Sequence, residues 1–155
     1  MKRTSLVLIF TLLLPVGAAM ASHYPLEAVS FVSPEEVKVL TKRGIEDTEQ
    51  LLASTATAMA RSDLAGVTGL DKKRLRELQE FCDLLQIRGV GPKMAAVLRL
   101  AGVYDTRTMA AEDAVALATK MKKANDIHKV SEILPEPAVL QGWIEQAAAF
   151  SRSSR

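Results

Sequence analysis

The sequence predicts an all-α domain built from several short helices, and three observations carry that reading. Apolar residues recur at three- and four-residue spacing, as in Leu75, Leu78, Cys82 and Leu85. Helix starts and stops are marked by their usual residues, with Ser33-Pro34-Glu35-Glu36 opening one helix and Lys42-Arg43-Gly44 closing it. No stretch alternates apolar and polar residues, and clusters of β-branched or aromatic residues are few beyond the amino-terminal run, so nothing supports a sheet.

Taken in order, the first helix runs from Pro34 to about Arg43, with Val37, Leu40 and Thr41 on one face. Asp47 or Thr48 starts a second, carrying Leu51 and Leu52, and Thr55 to Leu64 reads as a third. Gly66-Val67-Thr68-Gly69 breaks the pattern. From Asp71 a helix apolar on two faces, with Phe81 and Leu84 widening its stripe, belongs at the centre of the domain. Gly89-Val90-Gly91 ends it, and Pro92 opens the next helix, whose stripe is Met94, Val97, Leu98 and Ala101. Asp105 caps a small helix through Met109, Glu112 to Lys123 forms another, and Asn125 and Asp126 interrupt it. The last helix starts at Pro135-Glu136-Pro137 and docks through Trp143, leaving residues 151–155 as a flexible tail.

Ahead of the domain, Met1-Lys2-Arg3 leads into the apolar run Leu6 to Leu14, and Ala19-Met20-Ala21 offers small residues for cleavage. These three regions are those of a secretory signal peptide over residues 1–21. The run is too short for a spanning helix, which needs roughly 20 residues. An exported chain, periplasmic or extracellular and without membrane insertion after cleavage, is therefore expected. Removing 21 of 155 residues leaves 134, with residues 22–32 as a short lead and 33–150 as one domain. Lys2 and Arg3 leave with the signal, so 18 basic residues face 18 acids, and the mature chain lacks the general pull of a basic protein toward phosphate backbones. One cysteine, Cys82, allows no internal disulfide, and its apolar neighbours Leu78, Phe81 and Leu85 suggest a buried thiol.

The most informative stretch is Ile87-Arg88-Gly89-Val90-Gly91-Pro92-Lys93-Met94-Ala95-Ala96-Val97-Leu98. Two glycines two residues apart permit a tight hairpin, and Ala95 permits close helix packing. A positive φ is expected at Gly91, so that valine there would loosen the turn. Ile87, Gly89, Val90, Gly91, Ala95 and Leu98 together resemble the helix-hairpin-helix motif. That resemblance implies phosphate contact through the hairpin amides and the following helix N-terminus, which here would involve Arg88, Gly89, Val90, Gly91 and Lys93. The same glycines would equally serve to join two packed helices. Asp71 to Arg99 holds seven basic residues against four acids, a surplus that an ordinary solvated helix face also shows.

The resemblance extends along the chain. Leu40-Thr41-Lys42-Arg43-Gly44-Ile45, Gly66-Val67-Thr68-Gly69-Leu70, the hairpin, Leu100-Ala101-Gly102-Val103 and Trp143-Ile144-Glu145-Gln146-Ala147 follow in an order similar to the domain of unknown function 4332 family, over about Leu26 to Phe150. That likeness implies a compact domain of tandem helix-hairpin-helix units and leaves the activity open. Gly66 and Gly69 stand three apart where the pattern has two, which weakens phosphate contact at that earlier turn.

His23 and His128 stand far apart, and no Ser/His/Asp order, phosphate loop or metal-ligand spacing accompanies them. No catalytic residue, metal or cofactor is expected. The reading is a non-enzymatic exported binding module that contacts another protein, with sequence-independent DNA-backbone binding through the hairpin as the alternative.

Overall fold

A computed structural model describes residues 23–153, without the side chains of 151–153. The expected signal peptide therefore lies outside the described residues. After a short 3-10 turn, Leu26–Ala28, come α1 (Pro34–Thr41), α2 (Thr48–Ser54), α3 (Ala58–Thr68), α4 (Lys72–Leu84), α5 (Pro92–Leu100), α6 (Thr106–Ala110), α7 (Ala114–His128) and α8 (Pro137–Ser153). Among the described residues the only extended pairing is an isolated bridge between Pro25 and Asp47. The fold is compact and all-α.

Its helices fall into two like units. Residues 26–51 recur 58 positions later as 84–109, with Leu26, Pro34, Leu40, Gly44, Asp47 and Thr48 matched by Leu84, Pro92, Leu98, Gly102, Asp105 and Thr106. The matched residues do the same work in each unit. Leu40 and Leu98 are fully buried. The helix that carries each of them ends in a glycine of positive φ, +75° at Gly44 and +92° at Gly102, which lets the next amide turn back to the leucine carbonyl. The Asp47 side chain then caps α2 through the Gln50 amide at 2.8 Å, as that of Asp105 caps α6 through the Thr108 amide at 2.7 Å. In the first unit α2 and α3 pack on α4; in the second, α6 and α7 pack on α8. One continuous core joins them, and Phe81, Leu84 and Leu85 of the central segment belong to it together with Leu98, Leu117 and Leu140.

Four boundaries differ from the expected ones, one of them at the end of the chain, where α8 continues through residues 151–153 that were expected in the tail. Helix α3 starts at Ala58 and runs through Gly66 to Thr68, because a glycine costs a helix only about 1 kcal/mol and the true stop is Gly69, at φ +74°. Helix α4 ends at Leu84, five residues before Gly89. Helix α7 continues through Asn125 and Asp126 to His128. Asn125 does not break it because its side chain is engaged elsewhere: its amide nitrogen donates to the Ser131 carbonyl at 2.7 Å, and its oxygen accepts the Ser131 amide at 2.9 Å.

Candidate binding hairpin between α4 and α5

Between α4 and α5 the chain is pinned by two buried side chains, Ile87 and Val90, and closed by the Val90 amide donating to the Ile87 carbonyl at 3.0 Å. Gly89 lies between them at φ +92°. A Cβ there would stand 2.9 Å from Trp143 Nε1, so backbone angle and the indole of α8 both demand glycine. Gly91 behaves differently from expectation. Its φ of −90° and ψ of 176° are ordinary extended backbone, because it is the cap of α5 and not the tip of the turn. The Gly91 carbonyl accepts the Ala95 amide at 2.9 Å, and Pro92 occupies the first helical position.

As the cap of α5, Gly91 has no side chain to satisfy the amides that follow. Among the described residues, the amides of Gly91, Lys93 and Met94 have no acceptor. The side chains of Arg88 and Lys93 are exposed beside them. The Arg88 amide, by contrast, is taken by Gln146 Oε1 of α8 at 3.0 Å. Of the five residues expected at the hairpin, Arg88 and Lys93 thus bring side chains and Gly91 and Lys93 bring open amides. Gly89 and Val90 are structural.

The first unit holds a second copy of this turn, at Val29 to Pro34, where the Val32 amide donates to the Val29 carbonyl at 2.9 Å. This corrects the expectation that placed the earlier turn at Gly66 to Gly69. No glycine marks the copy; only the 58-residue repetition would have revealed it. Here the chain fills the helix N-terminus itself. Ser33 Oγ accepts the Glu36 amide at 3.2 Å, and Glu36 Oε2 accepts the Ser33 amide at 2.8 Å, a capping box. Arg74 of α4 holds the same carboxylate at 2.6 and 3.0 Å and also donates to the Phe31 carbonyl. That guanidinium keeps the Glu36 carboxyl below the ordinary value of 4.5, against the opposing effect of partial burial. Phe31 is stacked on Phe81 with ring centres 4.4 Å apart, and Arg74 lies 4.5 Å from its ring centre. In the second unit Gly91 and Met94 replace Ser33 and Glu36, so the matching position holds no carboxylate.

A family model for the domain of unknown function 4332 matches residues 31–150. The chain belongs to that family. Neither the curated proteins nor the solved structures include a match to it. In this member of the domain of unknown function 4332 family, the other candidate chemistry is dispersed. His23 pairs with Glu49 at 3.4 Å, while His128 is exposed at the end of α7. Among the described residues no three histidine, cysteine or acidic side chains are grouped to hold a metal. Cys82 is buried, and burial, helped by Asp83 and Asp47, pushes its thiol up to about 12, far from the thiolate that a nucleophile requires. No helix among the described residues is long and apolar enough to cross a membrane.

One surface feature was not legible as such in the sequence. Around the connection from α7 to α8, Ile127 of α7, Ile133 of the connection and Val139 of α8 are 68%, 80% and 48% exposed. By topology all three lie at one end of this helix pair. The matching connection in the first unit, Gly69 to Asp71 between α3 and α4, is far shorter.

Proposed function

We propose that the chain is an exported, non-enzymatic binding module whose contact is another protein. The observation that carries this reading is the apolar end of the α7–α8 pair. Isoleucine is a residue that folding ordinarily buries, and covering one exposed side chain of this size is worth about 1.5–3 kcal/mol. Three such residues sit at one end, and the clamp from Asn125 to Ser131 fixes the start of the loop that displays Ile133. A surface held in place in this way binds without first losing conformational freedom. The balanced charge of the mature sequence favours a protein over a polyanion. Affinity capture from envelope fractions with the wild-type chain and with Ile133→Asp tests this. A protein recovered by the wild type and lost with the variant is the expected result; equal recovery, or none with either, overturns it.

A second reading, sequence-independent binding of DNA backbone, is favoured by the open N-terminus of α5 with Arg88 and Lys93 beside it. Few contacts are available, so affinity would lie near the roughly 10⁻⁴ to 10⁻⁶ M of non-specific complexes and fall steeply with salt. Fluorescence anisotropy of unrelated duplexes at low and physiological salt tests it. Absence of binding at low salt rejects it, and so does binding that survives Lys93→Glu.

A further inference from the structure

We propose that the cleft between α3, α4 and α6 is a separate binding site for a small phosphate-bearing molecule. The cleft has a volume of about 560 Å³ and lies where the closing helix of the first unit meets α6 of the second. That size is typical of small-molecule sites, which span about 300–1,000 Å³. Arg61 of α3, Arg76 of α4 and Arg107 of α6 line it, together with Glu80, Asp83 and Asp105.

The formal charges balance, but the hydrogen-bonding capacity does not. Asp83 Oδ2 accepts both the amide and the hydroxyl of Thr106 at 2.7 Å, and its Oδ1 accepts Gln86 Nε2 at 2.8 Å. Asp105 Oδ1 accepts the amide and hydroxyl of Thr108, each at 2.7 Å. Glu80 is paired with Arg76 at 2.9 Å and faces Arg99 at 3.7 Å. Asp83 is thus engaged through both oxygens and Asp105 and Glu80 through one each, while Asp105 Oδ2 and Glu80 Oε2 face only the guanidinium groups of Arg107 and Arg99 at 3.9 and 3.7 Å.

The arginines retain donors. A guanidinium carries five N–H bonds. Arg61 uses one terminal nitrogen, on the Thr55 carbonyl at 2.6 Å and Gln79 Oε1 at 3.1 Å, and this anchors it at the cleft wall. Arg76 uses its Nε on Glu80, and Arg107 lies 3.9 Å from Asp105, beyond hydrogen-bond reach. Three guanidinium groups from three helices suit a tetrahedral phosphate, whose several oxygens can be met from different sides. A planar carboxylate is satisfied by one guanidinium.

Titration calorimetry with inorganic pyrophosphate, at low and then physiological salt, tests the site. Saturable binding is expected, weakened at least ten-fold by Arg107→Gln and by Arg61→Gln and unchanged by Lys93→Glu. Arg107 is largely exposed, so its variant reports on binding without disturbing the packing. No saturable binding at low salt, or equal binding to wild type and Arg107→Gln, overturns the proposal. Loss of binding with Lys93→Glu would move the phosphate to the hairpin and overturns it too, as would duplex DNA that binds in an Arg107-dependent way while pyrophosphate does not.

Discussion

At Gly89 two demands coincide, a φ of +92° and the indole of Trp143, whereas at Gly91, two residues on, the backbone angles are ordinary and an added Cβ would meet only Tyr24 Oη, at 3.5 Å. The same substitution should therefore have opposite signs. Gly89→Ser is expected to cost about 1–3 kcal/mol for the strained backbone, before any displacement of Trp143. Gly91→Ser should be neutral or stabilising by a few tenths of a kcal/mol, since it installs at the α5 cap the residue that Ser33 already supplies at α1. Thermal unfolding of the two variants checks this, and equal shifts would show the turn to be misread. Sequence spacing alone could not assign these roles, because it locates glycines without saying which one sits at the turn and which at the cap. Glu36 gives a second test at this scale. Its carboxyl is lowered in the folded chain by Arg74, so its contribution is present above the unfolded value near 4.5 and is lost as pH falls below that toward the lowered folded value. Below about pH 4.5 the melting temperature of the wild type should fall more steeply than that of Glu36→Gln. Parallel curves would mean that the Arg74 contact adds nothing.

At the scale of the helix, the sequence is readable where capping chemistry is local. Ser33-Pro34, Asp47, Asp71 and Asp105 stand at the starts they signal, since each needs only an amide two or three residues ahead. Stops that depend on distant partners are less readable. Gly66 lies inside α3 because the left-handed stop falls at Gly69, and Asn125 lies inside α7 because Ser131, six residues on, occupies its side chain. That last contact also positions the proposed docking loop. Asn125→Ala removes two hydrogen bonds worth about 1 kcal/mol each, and the expected result is a modest loss of stability with faster amide exchange in residues 129–136. Unchanged exchange there would show that the loop is held by other means.

Over the whole molecule, the all-α class was legible, while the 58-residue repetition was not. Buried and turn positions such as Leu40 and Leu98, or Gly44 and Gly102, are kept because each unit packs and turns alike. Surface positions diverge, with Glu35 and Glu49 matched by Lys93 and Arg107, and that divergence hides the repetition. It also separates the roles of the units: the first closes its turn with its own carboxylate, and the second carries the open turn and the apolar α7–α8 end. The proposed protein contact is therefore assigned to the second unit. Site-specific photo-crosslinking in the native cell, with the reactive group at position 133 or at position 93, tests that placement and its class of partner together. A protein adduct from position 133, with no nucleic-acid adduct from position 93, is the outcome expected of a protein-binding module; a nucleic-acid adduct from position 93 without a protein adduct from position 133 would contradict it.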